Sequence, residues 1–153
     1  YYLKNLNVIK NRIGMDPFDK NFTELWLIKT LNEKRAKIKS LLLRQDYICG
    51  LGNIYIDEIL WKAKIDPTKE AKKISEIKKI NLHKNIISTL KESIEYHGTT
   101  FMNFKFDNMK TGNYRSRLNV YGRKNKNCKR CNNKISTIKV SGRTSHFCKI
   151  CQR

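Results

Sequence analysis

Four of the five cysteines are spaced as two pairs that could bind one metal ion: Cys128-x2-Cys131-x16-Cys148-x2-Cys151. Each Cys-x-x-Cys turn directs two thiolates at a common centre, and two such turns complete the tetrahedron that Zn²⁺ prefers. Because four thiolates fill the coordination shell, the spacing predicts a structural zinc rather than a catalytic one. The metal would hold together a hairpin of about 25 residues that has too little apolar mass to fold alone.

Two other uses of these cysteines stay open at this stage. Disulfides belong to oxidising compartments, and the polar start of the chain shows no signal peptide. An iron site of the rubredoxin type also takes two Cys-x-x-Cys pairs, although a strongly cationic chain does not suggest an electron carrier. Zinc is therefore favoured, and Cys49, in an apolar stretch before Gly50, is expected to be a packed thiol.

The second candidate feature is a cationic tail. The 153 residues carry 33 Lys and Arg against 13 Asp and Glu, a net charge of +20. A chain rich in Lys, Asn and Ile can owe diffuse lysine to A/T-rich codons. Codon bias does not explain residues 108–153, which hold 13 basic residues, no acid and six of the nine arginines. This tail predicts binding to a polyanion, of which nucleic acid is the commonest.

A third feature is the turn Gly50-Leu51-Gly52-Asn53 between two helical patterns. With Asn53 at the N-cap, the free N–H groups and the dipole of the following helix could bind a phosphate. A simple packing corner between two helices is the ordinary interpretation of such a turn. Upstream, Arg35 and Lys39 are spaced i, i+4 and would share one helix face, for which a solvated surface is the ordinary interpretation.

Helices must position these residues. Thr23 can cap a first helix with Leu25, Ile28 and Leu31 on its inner face. The helix expected from Asn53 to about Lys64 carries Asp57 and Glu58 in its first turns, as the helix dipole favours. The apolar spacing predicts four helices, which run from Thr23, from about Ala36 towards Tyr47, from Asn53 to about Lys64, and from near Ser75 to Tyr96 with a bend near Asn81. The inner faces expected for the last two comprise Ile56, Ile59 and Leu60, and Ile77, Ile80, Leu82, Ile86, Ile87, Leu90 and Ile94.

The pattern changes after about residue 97. Alternating Leu118 and Val120 predict a strand over Arg117–Tyr121, followed by short strands between the cysteines. The fold class expected is mostly α with a small β zinc finger. No apolar run approaches the roughly 18–20 residues of a membrane span. Because a lone strand is unstable, residues 1–13 are expected to belong to an upstream unit, residues 14–117 to a helical domain and residues 118–153 to a zinc finger.

Three further motifs occur together in this chain. The first is the stretch Leu41–Trp61 (LLLRQDYICGLGNIYIDEILW), which resembles the helix–two-turn–helix of the bacterial formamidopyrimidine-DNA glycosylases. Val120-Tyr121-Gly122-Arg123 before the four cysteines, and Gly142-Arg143-Thr144 before the second pair, follow in the family's order and spacing. Gly14-Met15-Asp16-Pro17 is similar to the segment that links the family's two halves. The chain therefore resembles the C-terminal half of such an enzyme.

The resemblance implies base-excision DNA repair, by a bifunctional glycosylase and AP lyase that removes oxidised purines. The family's catalytic Pro-Glu pair lies on an N-terminal β domain and has no counterpart here, so this chain alone is expected to be inactive. The implied partner is damaged double-stranded DNA, with no membrane association, a monomeric state and a bacterial cytoplasmic location. The implied cofactor is one structural zinc.

The resemblance also assigns residues. Arg143 would grip the phosphates around the flipped nucleotide and take part in δ-elimination, a task that suits an always-cationic, bidentate side chain. Tyr121 would donate to a phosphate. The other positions implied along the DNA are Arg35, Lys39, Gly52 and Asn53. A lesion-reading loop would fall near residues 103–117.

One alternative belongs to a different class of protein. A stand-alone zinc-ribbon module could bind nucleic acid without any chemistry. The coding frame upstream of Tyr1 would separate the two hypotheses, because the repair enzyme requires an initiating Met followed by Pro-Glu and a further domain.

Overall fold

The computed structural model of this chain describes residues 13–98 and 113–153. Four helices come first, and a two-stranded hairpin closes the fold. The helices are α1 (Glu24–Asn32), α2 (Ile38–Leu42), α3 (Asn53–Lys62) and α4 (Glu76–Glu95), with 3-10 turns at Ala71–Lys73 and Tyr114–Arg117; the strands are β1 (Ser136–Val140) and β2 (Arg143–Phe147). The expected class, mostly α with a small β finger, is confirmed.

Helix α1 begins where the sequence predicts, because the Thr23 hydroxyl oxygen accepts a hydrogen bond from the Trp26 N–H at 3.1 Å. Its inner face differs from the prediction. Leu27 and Leu31 are fully buried, whereas Leu25 is 75% exposed. Leu27 and Leu31 lie four residues apart and form the stripe that packs against α4 and the turn at Ala71–Lys73, and Leu25 lies outside that stripe.

Helix α2 is only five residues long rather than reaching Tyr47. After it the chain folds back, and the segment at Met15 forms a parallel bridge with Ile48. The Gly14 N–H donates to the Gln45 carbonyl at 2.8 Å, and the Cys49 N–H donates to the Met15 carbonyl at 3.1 Å. Residues 43–49 therefore hydrogen-bond to the segment at Gly14 and Met15 instead of continuing a helix.

Helix α4 runs without a break from Glu76 to Glu95. Leu82, Ile86 and Leu90 are buried, as their spacing predicts. Ile77 and Ile94, however, are each 64% exposed, so their predicted burial is wrong. They lie towards the two ends of this 20-residue helix.

The predicted strand over Arg117–Tyr121 is not a strand. Its first residue closes a 3-10 turn, and the residues after it form no ladder with any described part of the chain. Leu118 and Val120 are nevertheless buried, so the alternation located the inner face correctly. The backbone N–H groups that a neighbouring strand would have bonded are bonded to a side chain of α3, described below.

Strands β1 and β2 pair antiparallel, with Val140 opposite Arg143 and Ser136 opposite Phe147. Ser141 (φ 49°) and Gly142 (φ 73°) form the connecting turn, and two successive positive φ angles are typical of the type I′ hairpin turn. A helical core and a second cluster around the cysteines, which includes Trp61 of α3, hold the fold together. Within the described ranges, the helices lack the length or apolar character needed to cross a bilayer.

Candidate metal centre and nucleic-acid interface

The four paired cysteines converge at one point. Their sulfur atoms all lie within 4.8 Å of one another, with 3.9 Å between Cys128 and Cys151 and 3.4 Å between Cys131 and Cys148. Tetrahedral Zn²⁺ with bonds of about 2.3 Å would set sulfur atoms about 3.8 Å apart. The thiol set therefore fits one zinc ion. Cys49 stands outside this group, half-buried, and burial raises the pKa of its thiol.

The close packing of the four sulfur atoms shifts the pKa values of their thiols in opposite directions. Hydrogen bonds from the backbone and side-chain N–H groups of Asn133 lower the pKa of Cys131 to about 6. Burial, together with the neighbouring thiols, raises the pKa of Cys151 to about 12. Four adjacent thiolates repel one another and cost desolvation free energy, and a bound divalent ion offsets both effects.

The hairpin packs onto α3 through a buried ion pair. Lys39 Nζ lies 2.6 Å from Asp57 Oδ1, and the two side chains are 0% and 1% exposed. Asp57 Oδ2 accepts the His146 backbone N–H at 2.8 Å and lies 3.3 Å from His146 Nδ1. One carboxylate thus connects α2, α3 and β2. The sequence predicts Asp57 in the first turns of α3, where the helix dipole favours an acid; the first turn contains no acid, and the Asp57 carboxylate is buried against Lys39 and the hairpin instead.

The adjacent carboxylate has a similar task. Glu58 is fully buried, and its oxygens accept four N–H groups at 2.8–2.9 Å. The donors are the backbone N–H groups of Asn119, Val120 and Tyr121 and the side-chain amide of Asn119. Glu58 therefore replaces the strand partner that residues 117–121 were expected to have, and it fixes the backbone of Tyr121.

Arg35 and Lys39 do not share a helix face. Arg35 is exposed in the segment before α2, and Lys39 lies inside α2. Burial lowers the pKa of Lys39, while Asp57 opposes that shift. The Lys39 ammonium group also donates to the Thr144 carbonyl at 3.3 Å. The solvated surface expected for this pair is therefore wrong for Lys39.

The turn before α3 brings the helix start to the hairpin. Gly50 has φ of 79°, and the Gln45 side chain bridges the turn by accepting from the Gly50 N–H and donating to the Leu51 carbonyl, both at 2.9 Å. Gly52 is the N-cap and Asn53 the first helical residue, so the helix begins one position earlier than an N-cap at Asn53 predicts. The Asn53 amide donates to the Thr144 carbonyl at 3.2 Å, directly beside exposed Arg143.

Tyr121 lies between two features. Its ring packs against the His146 ring with centroids 4.8 Å apart. It also lines a cavity of about 300 Å³. The described residues that line this cavity include no Asp or Glu. The cationic lining residues are Arg115, Arg123, Lys126 and Lys129. The predicted lesion-reading loop lies largely outside the described residues, since only positions 113–117 of it are described.

Sequence reasoning missed Asp57, Glu58 and Trp61 as residues that join the two parts. One available signal was the pair of adjacent acids between apolar residues of α3, in a chain whose last 46 residues contain no acid. Such a tail offers many donors and no acceptor carboxylate of its own.

Comparisons with known proteins agree with this architecture. Residues 13–105 match the formamidopyrimidine-DNA glycosylase H2TH domain, and residues 125–153 match the zinc finger found in FPG and IleRS. The formamidopyrimidine-DNA glycosylase of Prochlorococcus marinus is 42% identical over 141 residues, which cover 92% of this chain and 48% of that protein. The zinc cofactor is supported by both the finger family and the cysteine geometry.

Solved structures are also similar. A variant of the Lactococcus lactis enzyme in complex with a Fapy-dG containing DNA superposes with a TM-score of 0.91 at 38% identity, covering 99% of this chain and 56% of that one. The same organism's enzyme with an abasic site containing DNA gives a TM-score of 0.88 at 36% identity, with the same coverage. The chain spans about half the length of the curated relatives it matches.

Proposed function

This chain belongs to the formamidopyrimidine-DNA glycosylase family, and on that premise we propose that it binds damaged duplex DNA through the face shared by α3 and β2. The contact between Asn53 and the Thr144 carbonyl carries the proposal. These residues are 91 positions apart in sequence, and their contact sets the N-terminal end of a ten-residue helix beside Thr144, the residue that follows Arg143.

That arrangement suits a DNA phosphate. A helix N-terminus offers unpaired backbone N–H groups and the positive end of its dipole. Arg143 adds a planar cation that can bind two phosphate oxygens at once. Gly52, at the N-cap, adds no side chain between the helix end and a phosphate. The exposed Arg35 would extend this contact to further phosphates along the DNA backbone.

Lys39 would contribute from beneath the surface. Its ammonium group and the Asn53 amide both donate to the Thr144 carbonyl, so they fix the residue that follows Arg143. Tyr121 would donate to a second phosphate, and the cations of the cavity beside it would add to the electrostatic attraction. In this proposal the exposed side chains contact the phosphates, and the buried side chains hold them in position.

For the whole enzyme, the proposed activity is excision of oxidised purines by a glycosylase and AP lyase. Such an enzyme must take the damaged base out of the stack, which costs a few kcal/mol, and phosphate contacts offset that cost. Arg143 would also take part in δ-elimination. No Pro-Glu pair occurs in these 153 residues, so the polypeptide is proposed to bind without cleaving. A monomeric state and a bacterial cytoplasmic location belong to the same proposal.

A direct test combines binding with trapping. The zinc-loaded polypeptide is titrated into a labelled duplex that contains an abasic-site analogue and, separately, into the undamaged duplex. Tighter binding to the first is expected, and equal affinity for both would contradict a role in damage recognition. Incubation with an oxidised duplex and borohydride should give no covalent adduct, since a trapped adduct would refute the claim that this polypeptide is inactive.

A further inference from the structure

Trp61, near the C-terminal end of α3, reaches the metal centre. Its indole Nε1–H donates to Cys128 Sγ at 3.4 Å, and both residues are buried in the cluster around the cysteines. We propose that Trp61 is a positioning residue of the zinc site, which stabilises the Cys128 thiolate and makes α3 sensitive to metal occupancy. This proposal is independent of the DNA-binding function.

Residues of the first cysteine knuckle hold Trp61 in place. Arg130 lies between Cys128 and Cys131, and its guanidinium carbon is 4.0 Å from the Trp61 ring centroid. The same guanidinium donates to the Trp61 carbonyl at 2.9 Å. The Arg130 backbone N–H also points at Cys128 Sγ, at 3.5 Å. The indole is therefore fixed on one side by the knuckle whose sulfur it bonds.

The chemistry of the bond explains why tryptophan differs here from another aromatic residue. Metal-bound cysteine carries a thiolate, and a hydrogen-bond donor stabilises that charge. The indole N–H is a donor only, so it fits a sulfur that has given up its proton. Phenylalanine would fill much of the same apolar space without the donor. Loss of such a supporting group typically lowers metal affinity 10–100-fold.

The second knuckle is attached to the same region. The Gln152 side chain accepts the Cys148 N–H at 2.9 Å and donates to the Ile65 carbonyl at 2.8 Å. Ile65 lies three residues beyond the end of α3. The first knuckle is thus bonded to the C-terminal end of α3 and the second to the segment directly after it, while Asn53 lies at the other end of the same helix. Metal removal is expected to loosen this end of α3.

The two tryptophans make a matched experiment available, because Trp26 and Trp61 are the only ones in the sequence. Trp26→Phe leaves Trp61 as the single tryptophan, and Trp61→Phe leaves Trp26, which is partly buried and packs against the helical core. Zinc is removed with a chelator and returned by titration. The emission of the Trp26→Phe protein should change with zinc, and that of the Trp61→Phe protein should not.

Zinc affinity is measured by competition with a chromogenic chelator. Trp61→Phe should bind zinc 10–100-fold more weakly than the unaltered protein, with Trp26→Phe unchanged. Equal zinc affinity in a folded Trp61→Phe protein would overturn the proposal. Should that variant fail to fold, the hydrogen bond is tested by NMR instead. The sample is the Trp26→Phe protein with a spin-active cadmium isotope in place of zinc. A scalar coupling between the metal and the indole proton is expected, and its absence would also overturn the proposal.

Discussion

Replacement of Glu58 by Gln tests how the helical part holds the start of the zinc finger. The carboxylate accepts four N–H groups at 2.8–2.9 Å, two on each oxygen. Glu58→Gln turns one oxygen into an NH₂ group, which faces two donors instead of accepting from them. A hydrogen bond to a charged group contributes about 1.5–3 kcal/mol. The loss of two therefore predicts a decrease of about 3–6 kcal/mol in the free energy of unfolding.

The assay is urea denaturation of the zinc-loaded protein, combined with amide hydrogen exchange. Exchange at Asn119, Val120 and Tyr121 should accelerate more than exchange within α1. Glu95→Gln is the matched control, because Glu95 is exposed at the end of α4 and a surface change of this kind is usually within about 0.5 kcal/mol. A Glu58→Gln protein as stable as the control, with unchanged exchange at 119–121, would refute the reasoning.

Two further predictions concern the contact between the helices and the hairpin. Asp57→Asn leaves the Lys39 ammonium group buried without its counter-charge, so the free energy of unfolding should fall by about 3–5 kcal/mol; a loss below about 1 kcal/mol in urea denaturation would contradict the buried pair. Cys148→Ser should abolish tight zinc binding and also lower the melting temperature of the helices, because Trp61 and Ile65 bond to the zinc knuckles. Helical melting by far-UV circular dichroism that stays unchanged would show that the two parts are energetically separate.

The parts of this architecture with a local signature could be predicted from the sequence. The cysteine spacing identified the four thiols that converge on one point and could hold one zinc ion, since two Cys-x-x-Cys turns constrain their own geometry. Thr23 marked the start of α1, and the turn Gly50–Asn53 marked the start of α3 within one residue. These features depend on neighbours along the chain, where capping and turn rules apply directly.

The parts that depend on distant residues could not be predicted. Spacing showed which residues share a helix face, but not that a hairpin 89 positions away would cover Asp57. Lys39 therefore looked like a solvated cation. Arg117–Tyr121 looked like a strand because the alternation of Leu118 and Val120 is real, but Glu58 bonds its backbone instead of a second strand. Tertiary contacts decided each of these cases.

The central claim, that Arg143 beside the start of α3 binds a DNA phosphate, is tested most directly by salt dependence. Binding to the abasic-analogue duplex is measured at several salt concentrations for the unaltered protein, Arg143→Ala and Lys73→Ala. Lys73, an exposed residue of the 3-10 turn Ala71–Lys73, is a charge-matched control. Arg143→Ala should weaken binding and reduce the slope of log affinity against log salt by about 0.9, one phosphate contact, while Lys73→Ala leaves the slope unchanged. An unchanged slope for Arg143→Ala, or equal losses in both variants, would contradict the account.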